Sequence, residues 1–162
     1  MSLLSLKIGS VLKILLISMT PVLELRGAIP FGVMYNLPIW ETILFSVIGN
    51  MLPVPFIVLF ARRIFGWLKT KGIFRRFAEW SERRVLNKKG VLEKYKAIGL
   101  AILVAIPLPG TGAWTGAMLA GLLNMRIKEA FLPILIGVIL AAVIVAGVSY
   151  GIFGAISLFG IH

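Results

Sequence analysis

The sequence predicts an all-α integral membrane protein. It is an inverted repeat: each half is a re-entrant helical hairpin followed by a transmembrane helix, and a basic amphipathic cytoplasmic segment joins the two. Three observations predict this. The 162 residues are 59% hydrophobic and only 14% charged, more apolar surface than a soluble chain of this length can hide. Two apolar blocks are each interrupted by a short stretch of prolines, glycines and polar residues, a combination that a lipid-facing helix excludes. Twelve of the 17 Lys and Arg lie between residues 62 and 96, between the apolar blocks, and such clustering marks a cytoplasmic loop.

One membrane domain, 1–162, accounts for the length. The first repeat covers 1–63, with a hairpin over 3–37 and a span over 39–61. Residues 3–19 are apolar, with Lys7 and Lys13 near the start. No small-residue cleavage site follows, so the segment is expected to stay in place. Pro21 ends the helix. The stretch Pro21-Val-Leu-Glu-Leu-Arg-Gly-Ala-Ile-Pro30 is read as the hairpin tip, broken at Pro21 and Pro30. It places Glu24 and Arg26 at membrane depth, where ionisable groups face protein or a watery cavity. The arm from Phe31 to Leu37 is too short to cross, and Asn36-Leu-Pro38 forms a turn.

The span over 39–61 opens at Trp40 and Glu41 and is broken by Gly49-Asn50-Met-Leu-Pro53-Val-Pro55. Pro53 and Pro55 release backbone carbonyls near mid-membrane. Asn50 then either lines the cavity of Glu24 or bonds a neighbouring helix.

Residues 64–96 form the basic interfacial linker. Phe65, Trp67, Phe74, Phe77 and Trp80 alternate with Lys69, Lys71, Arg75, Arg76, Arg83 and Arg84, the pattern of a helix lying in the headgroup region. Each cation near an anionic leaflet contributes about 1 kcal/mol. Apolar blocks on both sides favour membrane lipids over nucleic acid as the partner. Asn87-Lys-Lys-Gly90 reads as a turn.

The second repeat, 97–162, holds a hairpin over 97–124 and a span over 129–151. Pro107-Leu-Pro109-Gly-Thr-Gly112-Ala-Trp114 interrupts its first apolar run. Exposed N–H groups of Gly110, Thr111 and Gly112 at a helix start attract an anion or the Glu24 carboxylate. Gly116 and Ala120 continue a small-residue face, and Gly147 with Gly151 suggests packing within the chain or across a homodimer.

A shift of 88 residues pairs Pro21 with Pro109, Asn36 with Asn124, Glu41 with Glu129 and Gly49 with Gly137. Each unit crosses once, so the second points the opposite way. The middle linker is then cytoplasmic and both termini are external. Four or five ordinary spans is the competing count.

The chain has no Cys, no Asp and one His, at its C-terminus. Disulfides, thiolate or His-rich metal sites and a Ser/His/Asp triad are excluded. No cofactor or metal is expected, and the chain is not expected to be an enzyme.

Pro21-x-x-Glu24-Leu-Arg26-Gly-Ala-Ile-Pro30, the Gly49-Asn50-x-x-Pro-x-Pro55 break and Pro107-Leu-Pro-Gly-Thr-Gly-Ala-Trp114 together resemble the small multi-drug export protein family. That family is similar to the broader DedA-like group. The resemblance implies facing re-entrant hairpins and a multi-pass protein of a prokaryotic cytoplasmic (inner) membrane. It implies drug export by the family name. By the DedA-like relation it implies proton-coupled movement of polyprenyl phosphate or another lipid-phosphate carrier. DedA-like relatives carry acidic residues in the first hairpin, as Glu24 does here, and arginines around a Pro-Gly pair in the second. Beside Pro109-Gly110 the flanking positions are Ile106 and Gly112, so phosphate recognition falls to Arg26 and the N–H groups of 110–112.

The expected function is therefore a small transporter with a substrate and proton site between the two tips, formed by Glu24, Arg26, Asn50, Gly110, Thr111, Gly112 and Trp114. Glu24 carries the proton and Arg26 pairs with it at rest. A multidrug or cation exporter is the alternative, as is a non-transporting scaffold acting through the basic loop.

Overall fold

A computed structural model describes residues 3–69, 89–108 and 110–158. Among them all regular secondary structure is helical, with no strand. The helices are α1 (Leu3–Ser18), α2 (Glu24–Met34), α3 (Ile39–Met51), α4 (Val54–Lys69), α5 (Lys89–Ala105), α6 (Ala113–Leu122) and α7 (Ile127–Leu158). Two stretches, Ile39–Trp67 and Ile127–Ile152, are long and apolar enough to cross a membrane.

The polarity of the bundle is that of a protein in lipid. Glu24, Thr42, Ser46 and Asn50 are buried, while Phe56 is 74% exposed and Phe60, Leu132, Val143 and Val148 lie open on the outside. A water-facing surface seldom carries so many large apolar groups.

Helix α7 is the centre of the bundle. It packs against α2, α3, α4, α5 and α6, and its Ala130, Ile134, Val138 and Ala142 are fully enclosed. Lipid gives apolar side chains no reason to associate, so close packing has to hold helices together. Glycines supply it. A Cβ on Gly137 would press on the Ala101 carbonyl and Val104, one on Gly116 on Val104, one on Gly121 on Ala61, and one on Gly32 on Thr42. A Cβ on Gly147 or Gly151 would meet nothing among the described residues, so the expected intrachain packing through them is absent there.

The two short helices end alike. Asn36 (φ 52°) and Asn124 (φ 56°) adopt the left-handed conformation just after α2 and α6. Leu37 N–H reaches back to the Gly32 carbonyl at 3.0 Å, and Met125 N–H to Ala120 at 3.0 Å. Both are Schellman caps, which satisfy carbonyls the helix leaves open. They lie 88 residues apart, and in each half a helix and a short helix precede the cap; α3 and α4 follow the first, the single long α7 the second.

Several breaks differ from the sequence expectation. Pro21 lies in the turn between α1 and α2, but Pro30 is inside α2. It withholds one N–H, the partner of the Arg26 carbonyl, and the helix runs on. Pro53 occupies the break between α3 and α4, whereas Pro55 sits in the first turn of α4, where a missing N–H costs little. Pro107 lies in the loop after α5. Helices also enter the predicted linker from both ends: α4 continues to Lys69 and α5 begins at Lys89, which makes Gly90 helical rather than part of a turn. Arg75, Arg76, Arg83, Arg84 and Pro109 lie outside the described residues.

Candidate functional site

Helix α1 stops at Ser18, whose hydroxyl bonds its own Leu15 carbonyl at 2.9 Å. Thr20 turns back on the Ile17 carbonyl at 2.7 Å. The chain reverses over residues 19–23, and α2 starts at Glu24 with φ 47°, a conformation that is uncommon and strained for a residue with a long side chain. The result is a carboxylate at the start of a short helix, 4% exposed.

The second half brings its own helix start to the same place. Gly112 precedes α6 with φ 156° and ψ −168°, a region open essentially only to glycine. A Cβ built there would overlap the Glu24 carboxylate. The close approach lets the Trp114 N–H donate to Glu24 Oε1 at 3.2 Å. That N–H is one of the first-turn donors with no partner inside the helix, and the helix dipole favours an anion there. Glu24 Oε2 has no hydrogen-bond partner among the described residues. The Trp114 indole N–H donates to the Met19 carbonyl at 3.2 Å, which ties the loop before α6 to the turn before α2.

Arg26 completes the join, but not with Glu24. Among the described residues no hydrogen bond joins the two, although their charges act on each other. Arg26 Nη2 donates to Thr111 Oγ1 at 2.9 Å, to the Thr111 carbonyl, and to the Ile106 carbonyl at 3.3 Å. Thr111 in turn donates to the Ile106 carbonyl at 2.6 Å. The guanidinium thus clamps the loop between α5 and α6.

Gly110, at φ 85°, turns this loop, and its carbonyl accepts from the Thr115 hydroxyl at 2.8 Å. Glu24, Arg26, Thr111, Gly112 and Trp114 therefore come together. Asn50 is fully buried on α3, and neither polar atom of its amide has a partner among the described residues. A largely apolar cavity of about 710 Å³ opens between α4 and α6, lined by Phe56, Phe60, Arg63, Trp114 and Met118 among others. Trp114 thus touches both the cavity and the carboxylate.

Sequence reasoning missed Thr42, Ser46 and Tyr150. Thr42, Ser46 and Asn50 recur every four residues in an apolar helix, a stripe that helical periodicity alone reveals. Tyr150 carried no such signal. Its hydroxyl donates to the Leu37 carbonyl at 2.8 Å, so Thr42 donates to the Tyr150 oxygen at 2.9 Å.

No curated protein and no solved structure matches this chain. One family model does, described as "Putative small multi-drug export protein", and it covers residues 24–144, from the carboxylate of the α2 turn to the middle of the central helix. The chain belongs to the small multi-drug export protein family.

Proposed function

We propose that the chain is a proton-coupled membrane exporter of small cationic amphiphiles, with Glu24 as the group that exchanges proton for substrate. One observation carries the reading. The buried Glu24 carboxylate is held by Trp114 N–H through one oxygen and leaves the other unpartnered among the described residues. A fixed carboxylate at membrane depth is costly unless a proton or a cation shares it. The cavity beside Trp114 suits the apolar part of the substrate.

Helix lengths support the re-entrant arrangement. At 1.5 Å per residue, α2 and α6 are about 16 and 15 Å long, half of a hydrocarbon core of about 30 Å. In this reading α1–α2 and α5–α6 are hairpins entering from opposite faces, and the halves form an inverted repeat that rocks about the fixed site. The segment rich in Lys and Arg is cytoplasmic, and both termini are external. The protein resides in a prokaryotic cytoplasmic membrane.

A second reading, a lipid-phosphate carrier, draws on Arg63, which lines the same cavity and offers a cation to a headgroup. Arg26 is only partly engaged: its Nη2 bonds Thr111 and Ile106, while its Nε has no partner among the described residues. The scaffold reading rests on Arg75, Arg76, Arg83 and Arg84. It requires that neutralising those four abolish function while Glu24→Gln does not.

The test is ethidium efflux from proteoliposomes with an imposed pH gradient, with pyranine reporting internal pH. Glu24→Gln, with folding verified, is expected to abolish both gradient-driven efflux and the accompanying proton movement. Full efflux by that variant would overturn the assignment.

A further inference from the structure

We infer that a file of water beside α3 connects Glu24 to the face bearing Leu37 and Tyr150, and that it is the route by which protons reach the carboxylate. The inference rests on the proposed proton exchange at Glu24 for its purpose, but its geometry stands alone.

The register comes from one contact. Helices α2 and α3 are joined by a tight turn and pack side by side, and Gly32 abuts Thr42 closely enough that a Cβ would overlap it. Because the helices run in opposite directions, eight residues back along α2 from Gly32 reach Glu24, and eight forward along α3 from Thr42 reach Asn50. Each path descends about 12 Å, so Asn50 lies level with Glu24. Ser46 is halfway, level with Ala28.

That strip holds four unpartnered polar atoms. Glu24 Oε2, Asn50 Oδ1, Asn50 Nδ2 and Ser46 Oγ are all buried with no hydrogen-bond partner among the described residues. Asn50 and Ser46 are wholly enclosed. Buried polar groups left without partners are rare, and internal water is the usual partner. The mixture decides for water over a metal cation. Asn50 presents an acceptor and a donor together, and water matches both while a cation matches only the oxygen. At the upper end Thr42, Tyr150 and the Leu37 carbonyl form a continuous hydrogen-bonded chain to the turn after α2.

The second half is an internal control. Shifting Thr42, Ser46 and Asn50 by 88 residues gives Ala130, Ile134 and Val138, all fully buried. The packed position is therefore filled by apolar side chains where no carboxylate lies beside it, since Glu24 shifts to Gly112. Packing does not call for the polar stripe, and only the half with the acid carries it.

Proton movement along the file conserves bonds. A proton leaving Glu24 Oε2 bonds to the adjacent water, which releases another to the next. The Ser46 hydroxyl accepts one and gives up one. Each O–H bond broken is replaced, and one proton emerges near Tyr150.

The chain has no native Cys, which makes the test direct. Ser46→Cys and, on the lipid-facing side of the same helix, Ile48→Cys are reconstituted and exposed to silver ion from the Leu37–Tyr150 face. Protection from later N-ethylmaleimide labelling in SDS is read by intact mass. Silver captures thiolate, and thiolate forms only where water reaches, so Ser46→Cys is expected to react about tenfold or more faster than Ile48→Cys. Asn50→Cys is the second position and is expected to react as well. In parallel, Asn50→Leu is expected to slow pyranine-reported proton entry about tenfold while ethidium still binds, because the proton route is cut at its inner end. Equal silver protection at Ser46 and Ile48, with Asn50→Cys also inert, overturns the water file and leaves the exporter reading standing. Reactive cysteines together with a fully active Glu24→Gln overturn the exporter reading and leave the water file.

Discussion

Gly112→Ala tests whether the two helix starts really meet. The substitution acts twice. It places a Cβ in a backbone region that costs about 1–3 kcal/mol for residues other than glycine. It also drives that Cβ into the Glu24 carboxylate, displacing it from the Trp114 N–H, and a hydrogen bond to a charged group contributes about 1.5–3 kcal/mol. The sum is about 2.5–6 kcal/mol if both effects are felt in full. A double-mutant cycle with Glu24→Gly separates them. With the carboxylate gone, Gly112→Ala should cost the backbone strain alone, which leaves a coupling of about 1.5–3 kcal/mol between the positions. Glycine is the right partner at 24, because the φ of 47° there is unstrained for it. Equilibrium unfolding in mixed micelles by SDS titration, followed by Trp fluorescence, measures all four corners. Additive costs, with coupling under about 0.5 kcal/mol, would falsify the contact on which the site is built.

Arg26→Lys should lower ethidium efflux about tenfold despite the kept charge, because an ammonium cannot reproduce the fork that reaches Thr111 and Ile106 together. Gly32→Ala should destabilise the bundle by about 1–3 kcal/mol through its overlap with Thr42. Gly147→Ala, which meets nothing among the described residues, should be neutral or stabilising by up to about 1 kcal/mol, and the same SDS titration checks both. Trp114→Phe should cost about 0.5–1.5 kcal/mol by losing the bond to the Met19 carbonyl; a smaller loss in that titration would show that the indole N–H does not hold the two turns together.

The breaks were legible in the sequence wherever a proline coincided with a polar or glycine-rich stretch. Pro21 after Ser18 and Thr20 ends α1, and the Asn36-Leu-Pro38 turn forms as read. Pro30 misled because a single missing N–H within an apolar helix that neighbours hold in place does not end it. Which residues gather at the candidate site was legible from chemistry: Glu24, Thr111, Gly112 and Trp114 stood out as polar or flexible residues in apolar surroundings. Their partners were not. Arg26 bonds Thr111, 85 positions away, and only packing of the halves sets that distance. The stripe of Thr42, Ser46 and Asn50 was open to reading at helical spacing. Asn50 drew attention because it sits beside a proline break, while Thr42 and Ser46 are small residues with no break nearby.

On the repeat proposed above, the lopsided site has a simple reason. When two similar halves cross, equivalent positions close to the crossing lie against each other. Glu24 and Gly112 are such a pair, 88 positions apart and in contact. A carboxylate at both would bury two like charges in contact, with no room for either side chain beside the other. One half must therefore give up its side chain, and it then gains the close backbone approach that aims the start of α6 at the remaining acid. The same division continues outward. The half with the acid carries the buried polar stripe, and the half with the glycine fills those positions with Ala130, Ile134 and Val138. Arg62 and Tyr150, also 88 apart, each bond the turn of the opposite half, Arg62 to Asn124 at 3.3 Å and Tyr150 to Leu37 at 2.8 Å. In the proposed exporter the shared frame sets where the halves touch, and the departures from symmetry decide which half carries the acid and its buried polar neighbours.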